Sequence, residues 1–270
     1  MNRLLKGIRR CSPGLVVSLA TLALPQVNAL NDTGTTACYT NNQFPTSCTA
    51  AVISDSGTHP RQDSRLGRDA NPSPGKIGAG AAGFDFTKIS NAGNALPASA
   101  TLGAGANDWA CTRDNVTGLL WEVKTSNPST PGLRDVANTY TWYNPNAASN
   151  GGDAGSTGNT TSCNGTLAAC NTQDYIAAVN AANLCGRSDW RLPDYKDAFT
   201  IFNSQTLGNS TPTPFDPTYF LARGSSTFTT NTLIQQPNSV FYVDSSGMSF
   251  ASKTSLARQV RLVAGTNAFR

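Results

Sequence analysis

The segment SDWRLPDYKDAF, residues 188–199, brings charged and large apolar side chains together, as active sites often do. Arg191 lies between Asp189 and Asp197, so a guanidinium and two carboxylates could cooperate in catalysis or in binding a ligand. The alternative is structural, because a charge buried among apolar groups needs a partner of opposite charge. We favour this alternative and predict that Arg191 pairs with one of these two carboxylates.

An enzymatic function lacks its usual residues in this sequence. His59 is the only histidine, and it lies in SGTHPRQ, a segment predicted to be exposed. Mechanisms of the Ser-His-Asp or Cys-His type need a histidine base, and no glycosidase-like pair stands out among the 16 acidic residues. No CxxC motif is present either. The sequence therefore predicts neither an enzyme nor a zinc site.

The residues that could bind a ligand lie in segment 222–240. Gln236-Pro237-Asn238 is similar to the tripeptide with which calcium-dependent lectins hold calcium and sugar hydroxyls, although a plain turn is the alternative. Arg223 is a further polar candidate, and Phe228 could stack on a sugar face. We expect no cofactor, with calcium as an alternative either here or in the Asp- and Asn-containing segment 144–165.

The start of the chain and its charge restrict the possible partners. Residues 1–29 have the basic, apolar and small-residue regions of a secretory signal peptide, with a retained anchor as the alternative. The chain has 20 Lys and Arg against 16 Asp and Glu, and four of the basic residues lie in this leader. The mature chain is therefore formally neutral, which argues against nucleic acid as a partner. No later segment is apolar enough to span a membrane. We predict an exported protein, in the periplasm, on the cell surface or outside the cell.

Six cysteines follow the leader, and an even number in an exported chain indicates disulfides. Two pairs would each close a short loop, and the third would join the start of the GLLWEVK region to the end of a predicted helix. The predicted pairs are Cys38–Cys48, Cys163–Cys170 and Cys111–Cys185.

The elements that position these residues follow from periodicity and capping signals. Residues 119–124 alternate as a half-buried strand does, with Trp121 on the core side and Glu122 on the other. NTQDYIAAVNAANLCG predicts a helix that is capped at Asn171 or Thr172 and ends at Gly186. A second helix is predicted after Pro193, with Asp194 as its cap and Asp197 three residues on in a weak version of the capping box. Trp190 and Leu192 are predicted core residues before this helix. Hairpins are predicted around residues 84–102 and 241–250.

Taken together, these motifs resemble the Lcl C-terminal domain family, named after a bacterial collagen-like adhesin. The resemblance covers roughly residues 108–265 and rests on four segments: DNVTGLLWEVK, TYTWYN, ANLCGRSDWRLPDYKDA and ARQVRLVAG. The chain departs from the family at Asp197-Ala198, where Glu-Leu is usual. The resemblance extends distantly to the C-type-lectin-like group, which includes the sulfatase-modifying factors.

The resemblance implies an α+β domain with two helices, a small twisted sheet and long irregular loops. It divides the chain into a leader (1–29), a Gly-, Asn- and Pro-rich region with a hairpin (30–107) and the family domain (108–270). Because a fold does not determine a function, we hold three hypotheses. The chain is an adhesin-type module that binds a glycan or an extracellular protein surface, a structural subunit of a surface assembly, or, least favoured, an enzyme. The sequence does not indicate an oligomeric state.

Overall fold

The computed structural model describes residues 31–41, 45–54, 56–70, 75–206, 214–221, 228–233, 236–244, 247–254 and 257–266. The predicted leader and Arg223 lie outside these residues. Within these ranges, no helix has both the length and the apolar character that crossing a membrane requires.

The described residues form short strands and a few short helices. The strands are β1 (Cys38–Tyr39), β2 (Pro45–Thr46), β3 (Phe86–Ser90), β4 (Ala95–Leu96), β5 (Trp109–Asp114), β6 (Leu120–Glu122), β7 (Phe228–Leu233), β8 (Ser239–Asp244), β9 (Gly247–Ser252) and β10 (Val263–Ala264). The helices are α1 (Ala50–Ile53), α2 (Asp63–Leu66), α3 (Thr172–Ala181) and α4 (Tyr195–Phe199). Three short 3-10 turns cover Arg68–Ala70, Leu184–Gly186 and Ser204–Thr206. The fold is α+β, as the sequence predicts, and the likeness to C-type lectins stays a prediction.

The main sheet has five antiparallel strands in the order β10-β6-β5-β3-β4. The predicted hairpin of β3 and β4 is therefore part of the same sheet as the strands of the family-like region. The last strand in the described part of the chain, β10, pairs with β6 through Val263 and Trp121. A second sheet, β7-β8-β9, follows α4 in the chain, and Asp244 pairs with Gly247 across its predicted hairpin.

The main sheet carries a hydrophobic core on each face. Leu120 of β6 belongs to one core, with Tyr175 and Val179 of α3. Leu119 and Trp121 belong to the other core, with aromatic residues such as Phe86 and Phe220. The alternation along residues 119–124 is thus correct, but the prediction of a half-buried strand is wrong, because α3 covers the second face. Glu122 and Lys124 are buried as a result.

The local signals for the helices produce the expected caps. The Asn171 side chain accepts a hydrogen bond from Asp174 N and caps α3. Asp194 and Asp197 form a reciprocal capping box at the start of α4. The predicted end of α3 at Gly186 is wrong, because α3 ends at Ala181 and Asn183 already takes the left-handed conformation, with a φ of 49°.

Three disulfides join Cys38 to Cys48, Cys111 to Cys185 and Cys163 to Cys170. These are the pairs that the sequence predicts. The pair Cys111–Cys185 links β5 to the 3-10 turn that follows α3, so it holds the main helix against the sheet.

Candidate functional site

The WRLP segment is built into the core. The Arg191 Nη1 atom lies 2.6 Å from Asp197 Oδ2, and Asp197 is fully buried. The same guanidinium donates to the carbonyl oxygens of Leu192 and Gly265. Asp189 instead pairs with Arg187 at the surface. Because three acceptors already use the guanidinium, Arg191 ties α4 to the last strand.

The side chains that flank Arg191 are buried as well. Trp190 is 2% exposed and donates its indole N–H to Leu184 O. Leu192 and Pro193 are also buried. Trp121, the remaining residue assigned a structural role from the sequence, is fully buried.

A second concentration of charge lies between the main sheet and α3. Lys124 Nζ donates to Glu122 Oε1 at a distance of 2.9 Å and to the Tyr175 hydroxyl oxygen at 2.8 Å. Tyr175 OH donates to the same carboxylate oxygen, and Leu262 N donates to its other oxygen. Arg261 donates to the Glu122 backbone carbonyl. All donors to this carboxylate come from within the core, so the group stabilises the fold.

Burial and the neighbouring charges shift the pKa values of Glu122, Lys124 and Tyr175. Burial alone would raise the pKa of Glu122, but the Lys124 charge and the hydrogen bonds from Tyr175 and Lys124 hold it below its usual value. Burial lowers the pKa of Lys124 to about 8, although Glu122 opposes this shift. Burial, followed by the Glu122 charge, raises the pKa of Tyr175 well above its usual value. Both charged partners therefore remain ionised at neutral pH.

The Asn- and Gly-rich segment 144–165 is held largely by hydrogen bonds, and Cys163 near its end belongs to a hydrophobic core. Asn144 N donates to Ala154 O, and Ser156 N donates to Trp142 O. Gly155 lies between them with a φ of 80°, and a Cβ there would approach Trp142 O to 2.2 Å. Only glycine fits this position. The segment is a long surface loop, as predicted, but its path is fixed.

Lys253 joins this loop to the turn at residues 236–238. Its side chain is buried, and its ammonium donates to the carbonyl oxygens of Asn150 (2.6 Å), Asp153 (3.0 Å) and Pro237. The ammonium also lies 4.5 Å from the centre of the Trp142 ring. Three carbonyls converging on one point would suit a hard cation, and here the lysine supplies the positive charge. We call the surface formed by residues 144–156 and 236–238 the loop face.

Two of the residues predicted to bind a ligand, Gln236 and Asn238, lie on this face, whereas Phe228 lies at the end of β7 that points away from the turn. Gln236 and Asn238 are exposed on the turn, and their backbone carbonyls accept from Ser239 N and Lys253 N. Phe228 lies in β7, paired with Val243. The loop face therefore brings together the two segments that the sequence proposed for recognition.

A pocket of about 140 Å³ opens beside the loop face. We call it the Trp142 pocket, because Trp142 belongs both to its wall and to the group around Lys253. It lies where the TYTWYN and WRLP motifs meet the start of α3 and β7. Its lining consists of Trp142, Tyr143, Asn144, Thr172, Gln173, Ile176, Arg191, Leu192 and Asn231.

A group of carboxylates lies in the region before the main sheet. Oxygen atoms of Asp32, Asp63 and Asp69 lie within 4.8 Å of one another. Burial, together with the charges of its neighbours, raises the pKa of Asp69. Both Asp32 oxygens already accept backbone N–H groups, from Gly34 and Arg68. We assign no ligand to this group.

Three residues of the site were not identified from the sequence. Lys253 is a single charge in the segment MSFASKTS, and nothing in that pattern indicates that it is buried. Gln173 and Asn231 lie in segments whose patterns predict only a helix and a strand. Their proximity depends on tertiary structure, but the quoted TYTWYN and WRLP motifs could have indicated the pocket.

Residues 110–264 match the family model described as the Lcl C-terminal domain. No curated protein and no solved structure gives a significant match to the chain. The family match covers more than half of the 270 residues and includes both motifs that line the Trp142 pocket.

Proposed function

We propose that this chain, which belongs to the Lcl C-terminal domain family, is an exported, non-enzymatic binding module that recognises a glycan or an extracellular protein surface. The family is an adhesin-type, non-catalytic domain. The observation that carries the proposal is the loop face, where Lys253 holds a long surface loop beside the turn at residues 236–238. Loops on a rigid scaffold are the usual place for recognition, because they can vary without disturbing the core.

Export is supported by the disulfides and by the predicted leader. Three disulfides in one chain are typical of an oxidising compartment. Recovery of the protein outside the cytoplasm, with a new N-terminus near Leu30, would agree with the predicted signal peptide. A full-length protein found in the cytoplasm alone would contradict it.

The residues available for catalysis do not support an enzyme. His59 is half-buried rather than exposed, and its ring nitrogens are hydrogen-bonded to the Thr58 hydroxyl and to the Asn41 side-chain oxygen, with no carboxylate among these partners. The buried Glu122 is surrounded by donors from its own core. Binding without chemistry is therefore the function that the arrangement supports best.

The experiment is a screen of the purified protein against immobilised glycans and extracellular-matrix proteins. For any ligand found, Gln236→Ala and Asn238→Ala should weaken binding, because both side chains are exposed on the loop face. Since neither side chain is buried, both variants should keep the fold intact. Affinity should change little between low and high salt, since the mature chain is formally neutral. Full affinity in both variants, or a steep loss of affinity with salt, would place the binding site elsewhere.

A role as a structural subunit is the second candidate, and β9 is the observation that favours it. This strand lies at the edge of the second sheet, and its side chains Met248 and Phe250 are 39% and 56% exposed. An open edge strand without charged residues can pair with another chain. Concentration-dependent self-association in light scattering, abolished by Phe250→Lys, would support this role over the first.

A further inference from the structure

The Trp142 pocket is fixed by backbone contacts among the segments that form it. The Thr172 hydroxyl donates to Tyr143 O and accepts from Tyr143 N, each at a distance of 3.0 Å, so the TYTWYN segment is fastened to the start of α3. Asn231 N donates to Pro193 O at a distance of 2.8 Å and fastens β7 to the WRLP segment. The pocket is therefore formed before any ligand arrives.

The polar side chains at the pocket are free to bind. Gln173 and Asn231 are exposed, and their amide groups have no hydrogen-bond partner among the described residues. The Tyr143 hydroxyl, on a half-buried residue, likewise has none within the described ranges. Amides and a phenol offer both donors and acceptors. This combination suits a ligand with several hydroxyl groups.

The pocket carries no unpaired charge. Its one ionised side chain, Arg191, is neutralised by Asp197 at 2.6 Å and also donates to two backbone carbonyls. An anionic ligand would therefore gain no free cation here. The apolar part of the wall comes from Tyr143 and Ile176, which are half-buried, and from Trp142 and Leu192, which are only 2% and 6% exposed. Pockets with such walls and a few placed polar groups are typical of small-molecule sites.

We propose that the Trp142 pocket binds one neutral sugar ring, the terminal residue of a glycan. A pyranose has an apolar C–H face for the half-buried Tyr143 and Ile176 side chains. Its hydroxyl groups suit the amides of Gln173 and Asn231 and the Tyr143 hydroxyl. The volume of about 140 Å³ is below the ~300–1,000 Å³ of drug-sized pockets, which fits a single ring. Asn144 lines the pocket and begins the loop face, so the rest of a glycan would extend over that face. This inference rests on the proposed binding function and names its ligand class.

The test is titration of the purified protein with free neutral monosaccharides: glucose, galactose, mannose, fucose and N-acetylglucosamine. Calorimetry and tryptophan fluorescence report binding, the latter because Trp142 lines the pocket. We expect at least one sugar to bind with a Kd of about 1 mM, ordinary for so small a contact. Gln173→Ala and Asn231→Ala should each weaken it roughly tenfold, about 1.4 kcal/mol, without changing the melting temperature. Tyr143→Phe should weaken it to a smaller extent.

Asn94→Ala is the matched control. Asn94 is an exposed amide in the β3–β4 turn, next to Gly93. A Cβ at Gly93 would lie 2.9 Å from the carbonyl oxygen of Cys185, which lies beyond the end of α3. The pocket lies at the other end of α3, about 15 Å away for a ten-residue helix. This variant should bind the sugar as the wild type does. Equal losses in Asn94→Ala and Asn231→Ala would overturn the assignment.

The outcomes separate this inference from the proposed function. If the protein binds an immobilised glycan or protein but no sugar in the panel, the pocket assignment is wrong and the binding module stands. If a monosaccharide binds and depends on Gln173 and Asn231 while no surface ligand is found, the pocket stands and the adhesin-type function falls. A preference for sulfated over neutral sugars would overturn the neutral-sugar assignment.

Discussion

Lys124 Nζ lies 2.9 Å from Glu122 Oε1, and both side chains are buried. Replacing one partner leaves the other charged and unpaired in the core, so Glu122→Gln or Lys124→Met should lower the free energy of unfolding by about 3–5 kcal/mol. The double variant should lose less than the sum of the single losses, because no unpaired charge remains. Urea unfolding of the four proteins measures this coupling. Strictly additive losses would show that the two charges act independently.

Glu122 should also make the fold sensitive to acid. Its pKa in the folded protein lies below the ordinary 4.5, since the Lys124 charge and two hydrogen bonds outweigh the effect of burial. An acid with a depressed pKa stabilises the fold fully above its unfolded value, and this stabilisation is lost as pH falls through the folded pKa. The wild-type melting temperature should therefore drop on acidification below about pH 4.5, and Glu122→Gln should drop less. Parallel curves for the two proteins would contradict this.

The sequence predicted the parts of the fold that depend on local signals. The Asn171 cap, the Asp194–Asp197 capping box and the turn between β8 and β9 each need only neighbouring residues. Alternation also placed Leu120 and Trp121 on opposite faces of the strand. It could not show that α3 covers the second face, because that depends on how distant segments pack.

The candidate site depends even more on contacts between distant segments, which local sequence patterns do not predict. Lys253 contacts Asn150, which lies 103 residues earlier in the chain, and no local pattern indicates that contact. The Trp142 pocket likewise combines side chains from residues 142–144, 172–173, 176, 191–192 and 231. The resemblance to a family drew attention to two of these segments, TYTWYN and WRLP, but did not predict that they meet.

The disulfide between Cys111 and Cys185 should contribute most to stability. It spans 74 residues, against 7 for Cys163–Cys170. In the chain-entropy account, the longer loop gives about 4.4 kcal/mol and the shorter about 2.4 kcal/mol. Replacing both cysteines of each pair by alanine, followed by chemical unfolding, compares them. A larger loss for the short loop would show that entropy of the unfolded chain does not dominate.

Trp190 and Arg191 should act on stability and not directly on binding. Trp190→Ala should cost about 3–5 kcal/mol, because the indole is 2% exposed. Arg191→Ala should also destabilise the domain, since it leaves the buried Asp197 without its cation. Arg187→Ala is the control: its pair with Asp189 is about half exposed and contributes at most about 1 kcal/mol. An Arg191→Ala variant with an unchanged melting temperature and lost ligand binding would reverse this assignment.

Lys253 should determine the shape of the loop face. Lys253→Met keeps a long side chain beside Trp142 but removes the donor to Asn150 O, Asp153 O and Pro237 O. The three carbonyls then lose their shared partner, so the loop and the turn should separate more easily. We expect faster amide hydrogen exchange in residues 144–156 and 236–239, with little change in β5 and β6. Lys196→Met, at an exposed lysine on α4, should leave exchange in both segments unchanged.

Because the proposed recognition surface needs both segments in register, Lys253→Met should also weaken binding of any ligand that Gln236→Ala weakens. Unchanged exchange would mean that the backbone bonds of the loop hold the face without the lysine.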